Sequence, residues 1–105
     1  MYTRNVSLKL KVNSASEFTR TLENEVIPVL RKQKGFKDEI TLIAPERNEV
    51  VAISFWDRKE DAEAYNREKY PDILKILSKV VDGAPRVESF EVANSTSHQI
   101  AAKAA

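Results

Sequence analysis

Residues 49 to 56 read EVVAISFW. As a strand, this segment puts Val51, Ile53 and Phe55 on one face and Val50, Ala52, Ser54 and Trp56 on the other. Neither face is polar, so both must leave water. The chain has only 105 residues to cover them. A chain of that length forms one domain and buries roughly 60–70% of its unfolded surface, which allows one core, one sheet and one layer of helices. A single helical layer covers a single face. The tryptophan set is read as the uncovered one, and a second copy of the sheet, related by a two-fold axis, is the expected cover.

The rest of the chain supplies the partners of this strand. Residues 3–12 alternate, with Val6, Leu8, Leu10 and Val12 on one side and Asn5, Ser7, Lys9 and Lys11 on the other. Ser14 and Glu17 stand at capping-box spacing ahead of a helical stripe of Phe18, Leu22, Val26, Val29 and Leu30. Pro28 lies inside that stripe and is expected to bend the axis, because it has no N–H to give residue 24. Gly35 stops the helix. Residues 36–44 form a second strand, and "PERNE" turns it into the strand 49–56. Asp57 and Glu60 repeat the capping-box spacing, Glu63 and Arg67 stand at i,i+4, and Pro71 opens a further helical piece with Ile73, Leu74 and Leu77 in phase. Gly83 is read as its stop and residues 86–93 as the last strand. The order βαββαβ is that of a ferredoxin-like α+β domain with a four-stranded antiparallel sheet, spanning 1–94, followed by a tail, 95–105.

Composition excludes several kinds of function. Seventeen basic residues oppose sixteen acidic ones, interleaved, and no basic stripe suits nucleic acid. There is no cysteine, which removes disulfides, thiolate catalysis and cysteine-ligated metal, and one histidine cannot make a zinc set. No apolar run approaches the length of a membrane span or a signal peptide. A cytoplasmic protein is expected.

The segments "VIPVLRKQKGF", "ISFWDRKEDAEAY", "YPDILKIL" and "GAPRVESFEV" resemble, in order and spacing, the antibiotic biosynthesis monooxygenase-like family of dimeric α+β barrels. The resemblance implies a homodimer with facing sheets and a small-molecule pocket between sheet and helices near the tryptophan strand. It implies an enzyme that oxidises a phenolic or quinone-type molecule without haem, flavin or metal, the substrate itself reducing oxygen. A non-catalytic binding or regulatory dimer and a small-metabolite isomerase are the alternatives. Trp56 matches the family pattern, whereas Ala52, Ala62 and, approximately, Asp72 stand where the oxygenase branch carries asparagine, tyrosine and arginine. The haem-degrading branch needs a histidine ten residues after Tyr65, where this chain has Lys75.

Candidate site residues follow from chemistry and place. Trp56, Ser54 and Tyr65 are expected to line a pocket between the sheet and the second helical region, with Tyr70 or Asn5 as further polar contacts. His98 is the one side chain whose free pKa suits a general base, if the tail folds back over that pocket. The tail is expected to lie along a partner subunit, anchored by Ile100.

Overall fold

A computed structural model describes residues 1 to 98. Strand β1 (Tyr2–Leu10) leads to helix α1 (Ala15–Thr21), a π turn over Leu22–Val26, and helix α2 (Ile27–Arg31). Then come β2 (Phe36–Ala44), a 3-10 turn at Pro45–Arg47, β3 (Glu49–Trp56), α3 (Lys59–Glu68), α4 (Tyr70–Leu77) and β4 (Val81–Glu91). The four strands form one antiparallel sheet in the order β2-β3-β1-β4. The helices lie on one face of it. This is the ferredoxin-like α+β arrangement that the pattern implies.

The two faces of β3 are assigned opposite to expectation. Trp56 is fully buried under the helices, with Val50 and Ser54 beside it. The bare face carries Val51, Ile53 and Phe55, joined by Ile40 and Leu42 from β2 and Phe90 from β4, of which the last three are about half exposed. The register explains the choice. Tyr2, Arg4, Val6 and Leu8 of β1 pair with the even-numbered residues of β3, so the apolar side of β1 and the tryptophan share one core. Phe18, Leu22, Val26 and Leu30 close that core from α1, the π turn and α2. Fully burying side chains of this size contributes about 1.5–3 kcal/mol each.

Several local expectations are corrected. Pro28 produces not a simple bend but the π turn that precedes it, one residue wider per turn, which absorbs the missing donor. Neither capping box forms. Ser14 makes no cap bond, and Glu17 meets Lys79 at 3.7 Å instead. Asp57 pairs with Lys37 at 3.2 Å, and α3 starts beyond it with Arg58 in the cap position. Glu63 pairs back to Lys59 rather than forward to Arg67. β1 ends at Leu10, before Asn13 turns with φ 60°, so Val12 is left 76% exposed. Gly83 lies inside β4, at φ 78°, rather than at a helix end. Pro85 is tolerated there because β4 is an edge strand.

Gly35 has a sharper role. Its φ is 78°, and a Cβ there would run into the carboxyl group of buried Asp61. Its carbonyl accepts the Asp57 N–H at 2.8 Å. The corner between α2 and β2 is thereby clamped to the start of α3.

Candidate functional site

One row across the helix-facing side of the sheet carries most of the polar chemistry. Ser54 of β3 stands opposite Arg4 of β1 on one side and Glu39 of β2 on the other. Strand spacing puts the Cα atoms of Arg4 and Glu39 roughly 10 Å apart, with Ser54 between them. Ser54 Oγ accepts the indole N–H of Trp56 at 2.9 Å, and the Ser54 carbonyl accepts Thr3 Oγ1 at 2.9 Å.

Aromatic rings roof this row. Phe36 meets Trp56 edge-on with centroids 5.6 Å apart; Trp56 and Tyr65 are 5.1 Å apart, and Tyr65 and Tyr70 are 6.3 Å apart. Pro71 sets this geometry locally. It ends α3 and restarts the chain as α4, which brings Tyr65, from the second turn of α3, beside Tyr70, the first residue of α4. The Arg4 guanidinium carbon lies 4.6 Å from the centre of the Tyr70 ring and 5.2 Å from that of Tyr65. Its Nη2 donates to Asn66 Oδ1 at 2.8 Å. Among the described residues it has no carboxylate partner. The Tyr70 hydroxyl is buried and has no hydrogen-bond partner in good geometry among the described residues.

Beneath this roof lies a cavity bordered by Arg4, Glu39, Ser54, Tyr65 and Tyr70, with an otherwise apolar lining. It admits the centre of a water-sized sphere over about 50 Å³. That is several times what one water needs. Arg4 and Glu39 also border outer grooves, Arg4 beside Asn66 and Ser89, Glu39 beside α2. Each is therefore a wall between the cavity and solvent.

Burial sets the electrostatics. It pulls the Arg4 guanidinium below its ordinary value, an effect that Tyr65 and Tyr70 oppose. It pushes the Glu39 carboxyl up, although Thr41 Oγ1, donating to Glu39 Oε2 at 2.6 Å, favours the ionised form. Tyr65 rises to about 12, mainly through burial, so it is a neutral donor rather than a base. Tyr70 is raised for the same reason, with Arg4 pulling the other way. The result is a mostly apolar cavity with a cation at one wall and, at the other, a carboxyl whose affinity for a proton burial raises. Among the described residues, no group of three or more His, Cys, Asp or Glu side chains gathers as a metal would require.

Of the residues singled out in the sequence, Ser54, Tyr65 and Tyr70 border the cavity, and Trp56 backs it through Ser54 and Tyr65. Asn5 does not join them. It lies on the opposite face of the sheet, paired with Ile53, and its Oδ1 is buried without a partner among the described residues. His98 is also on that face. Its ring packs on Phe55 at 5.7 Å and its Nε2 meets Asp38 Oδ2. A histidine there is cut off from the cavity by the sheet, so it is no base for it. Residues 95–98 turn around Ser95 Oγ, which accepts the N–H groups of Ser97 and His98, and of these His98 rests on the chain's own sheet. Ile100 lies outside the described residues.

Arg4 and Glu39 escaped the sequence reading. The signal for Arg4 was its register: it falls on the same side of β1 as Val6 and Leu8, so it was bound to enter the core. Glu39 is likewise in phase with Thr41 and Ile43.

No family model and no curated protein sequence matches the chain. Solved structures do match its fold. SnoaB, a cofactor-independent oxygenase from Streptomyces nogalater, superposes with a TM-score of 0.74 at 13% identity over 92% of this chain and 97% of that one. The monooxygenase from the gene ActVA-Orf6 of Streptomyces coelicolor, solved with the ligand Nanaomycin D, gives 0.75 at 12% identity over 90% and 88%. A Nitrosomonas europaea protein with a provisional antibiotic biosynthesis monooxygenase name gives 0.72 at 14% identity over 90% and 100%. At these identities the likeness is one of fold.

Proposed function

We propose that the chain is an enzyme of the cofactor-independent monooxygenase type, acting on a small phenolic or quinone-type molecule in the cavity between sheet and helices. One observation carries this reading. A buried guanidinium faces a largely apolar cavity and makes no direct ion pair among the described residues. A buried cation so placed is costly unless an anion joins it, and a phenolate or enolate is an anion that also fits aromatic walls. The likeness in fold to structures named as oxygenases supports the choice of reaction.

In the reaction so proposed, a phenol and one molecule of oxygen give a quinone and one water. One oxygen atom enters the ring as a carbonyl and the other leaves as water, with all four electrons drawn from the phenol. The protein then needs to deprotonate, orient and keep dry, which are tasks for side chains. Arg4 would hold the anionic oxygen, Tyr65 would donate to it as a neutral hydroxyl, and Trp56 would form the rigid wall.

The same reading makes the chain a cytoplasmic homodimer. The half-exposed Ile40, Leu42 and Phe90, continuous with Val51, Ile53 and Phe55, support association through the bare face.

Oxygen uptake by the purified protein tests the chemistry. With a panel of electron-rich phenols, 1-naphthol among them, uptake above the spontaneous rate should appear, survive chelators and fall by roughly tenfold or more in Arg4→Met. Binding of the phenols with no uptake would favour a non-catalytic binding dimer.

A further inference from the structure

The row Arg4–Ser54–Glu39 says more about the ligand than the cavity's apolar lining does. A lone phenol needs one charged contact, whereas this cavity has two ionisable groups of opposite charge, on opposite sides of Ser54. Arg4 offers only donors. Glu39 has one carboxylate oxygen, Oε2, engaged by Thr41 Oγ1, and its other oxygen has no protein hydrogen bond among the described residues. Two strand spacings, roughly 10 Å between Cα atoms, separate Arg4 from Glu39, a separation comparable with the length of one substituted ring.

We propose that Glu39 is the proton acceptor of this site and Arg4 its anion holder, and that together they select a planar hydroxyaromatic ring bearing a second, conjugated oxygen. The hydroxyl points to Glu39 and the conjugated carbonyl to Arg4. The substrate O–H bond breaks and a Glu39 O–H bond forms. The electron pair stays on the substrate oxygen and spreads through the ring to the carbonyl oxygen at Arg4. The negative charge thereby leaves the carboxyl group and settles beside the guanidinium, with no redox partner required. Glu39 also borders the outer groove along α2, which gives the accepted proton a way to solvent. Two further observations agree. Glu39 is raised from its ordinary value by burial, so it holds a proton better than a surface carboxylate does. Ser54, in the middle of the row, gives its oxygen to Trp56 and is not free to act as the base.

This inference rests on the phenol-type reading of the cavity, but its test does not depend on oxygen uptake. The probe is 4-hydroxyacetophenone, which carries a hydroxyl at one end and a carbonyl at the other and whose absorption band shifts on ionisation. At a neutral pH where the free compound is mostly un-ionised, wild-type protein should bind it and show the ionised band. Glu39→Gln should bind it with the un-ionised band. Arg4→Met should bind it roughly tenfold more weakly or worse. Acetophenone, which has no proton to give, should bind wild type and Glu39→Gln within about twofold, showing that the cavity survives the substitution. An ionised band that persists in Glu39→Gln would overturn the assignment of the acceptor. Failure of the wild type to bind the probe, or an un-ionised band in the wild type, would overturn the inference as a whole. Ionisation without oxygen uptake from the phenol panel would leave the proton transfer standing and remove the oxygenase.

Discussion

Trp56 donates its indole N–H to the hydroxyl of Ser54, two residues back on the same face of β3, at 2.9 Å. Both side chains are buried. The bond fixes the wall of the cavity, and it also explains why a serine is acceptable in the centre of the core. Ser54→Ala leaves the indole N–H unsatisfied and should cost about 1–3 kcal/mol in urea unfolding. Made in a Trp56→Phe background, the same substitution should cost much less. A double-mutant cycle with no coupling would show that the bond contributes nothing.

Gly35→Ala should be among the most damaging small changes. It forces an alanine to φ 78° and drives its methyl group into Asp61. A loss of about 1–3 kcal/mol is expected from the backbone alone. In Gly83→Ala the same φ meets open space, so the loss should be smaller. Thermal melts of the two variants side by side check the order.

Glu39 makes stability depend on pH in a defined sense. Its carboxyl is raised in the folded chain, so the folded state holds a proton that the unfolded state has released. Stability therefore falls as pH rises from the ordinary carboxylate value to the raised one, and the loss is complete above it. Glu39→Gln removes this dependence. The variant should show a higher urea midpoint than wild type at neutral pH and little difference in acid. A midpoint that drops at neutral pH would mean that Glu39 stabilises the fold rather than serving the site at its expense.

The strand order and the helix positions were legible because apolar periodicity is set by burial, and burial is what the fold satisfies first. Val6, Leu8 and Leu10 announced β1, and Phe18, Leu22, Val26 and Leu30 announced the helical face. Which side of β3 meets the helices was not legible in β3 alone, since both sides are apolar. It follows from β1, whose single apolar side pairs with Trp56 and its neighbours. The capping boxes show a different limit. Spacing puts Ser14 near Glu17, but Glu17 finds Lys79, which is distant in sequence. The site was half visible. The tyrosines and Trp56 stood out by size, while Arg4 and Glu39 looked like surface charges, because a charge in an apolar register is recognisable only once the register is known.

A charge placed on the bare face tests the dimer. Ile53→Lys puts an ammonium group in the middle of Ile40, Leu42 and Phe55, on the side away from the cavity. Sedimentation at micromolar concentration should give a dimer for the wild type and a folded monomer for this variant. A wild type that sediments as a monomer would end the proposal that this face meets a second copy.

The account stands or falls on the cavity under the helices being the place where a phenolic molecule binds. Mapping backbone amide shifts by NMR as 1-naphthol is added addresses this directly. The account predicts the largest shifts at Arg4, Glu39, Ser54, Tyr65 and Tyr70, with Val51, Phe55 and His98 little changed. Shifts concentrated at Val51, Phe55 and His98, with the five cavity residues silent, would contradict it.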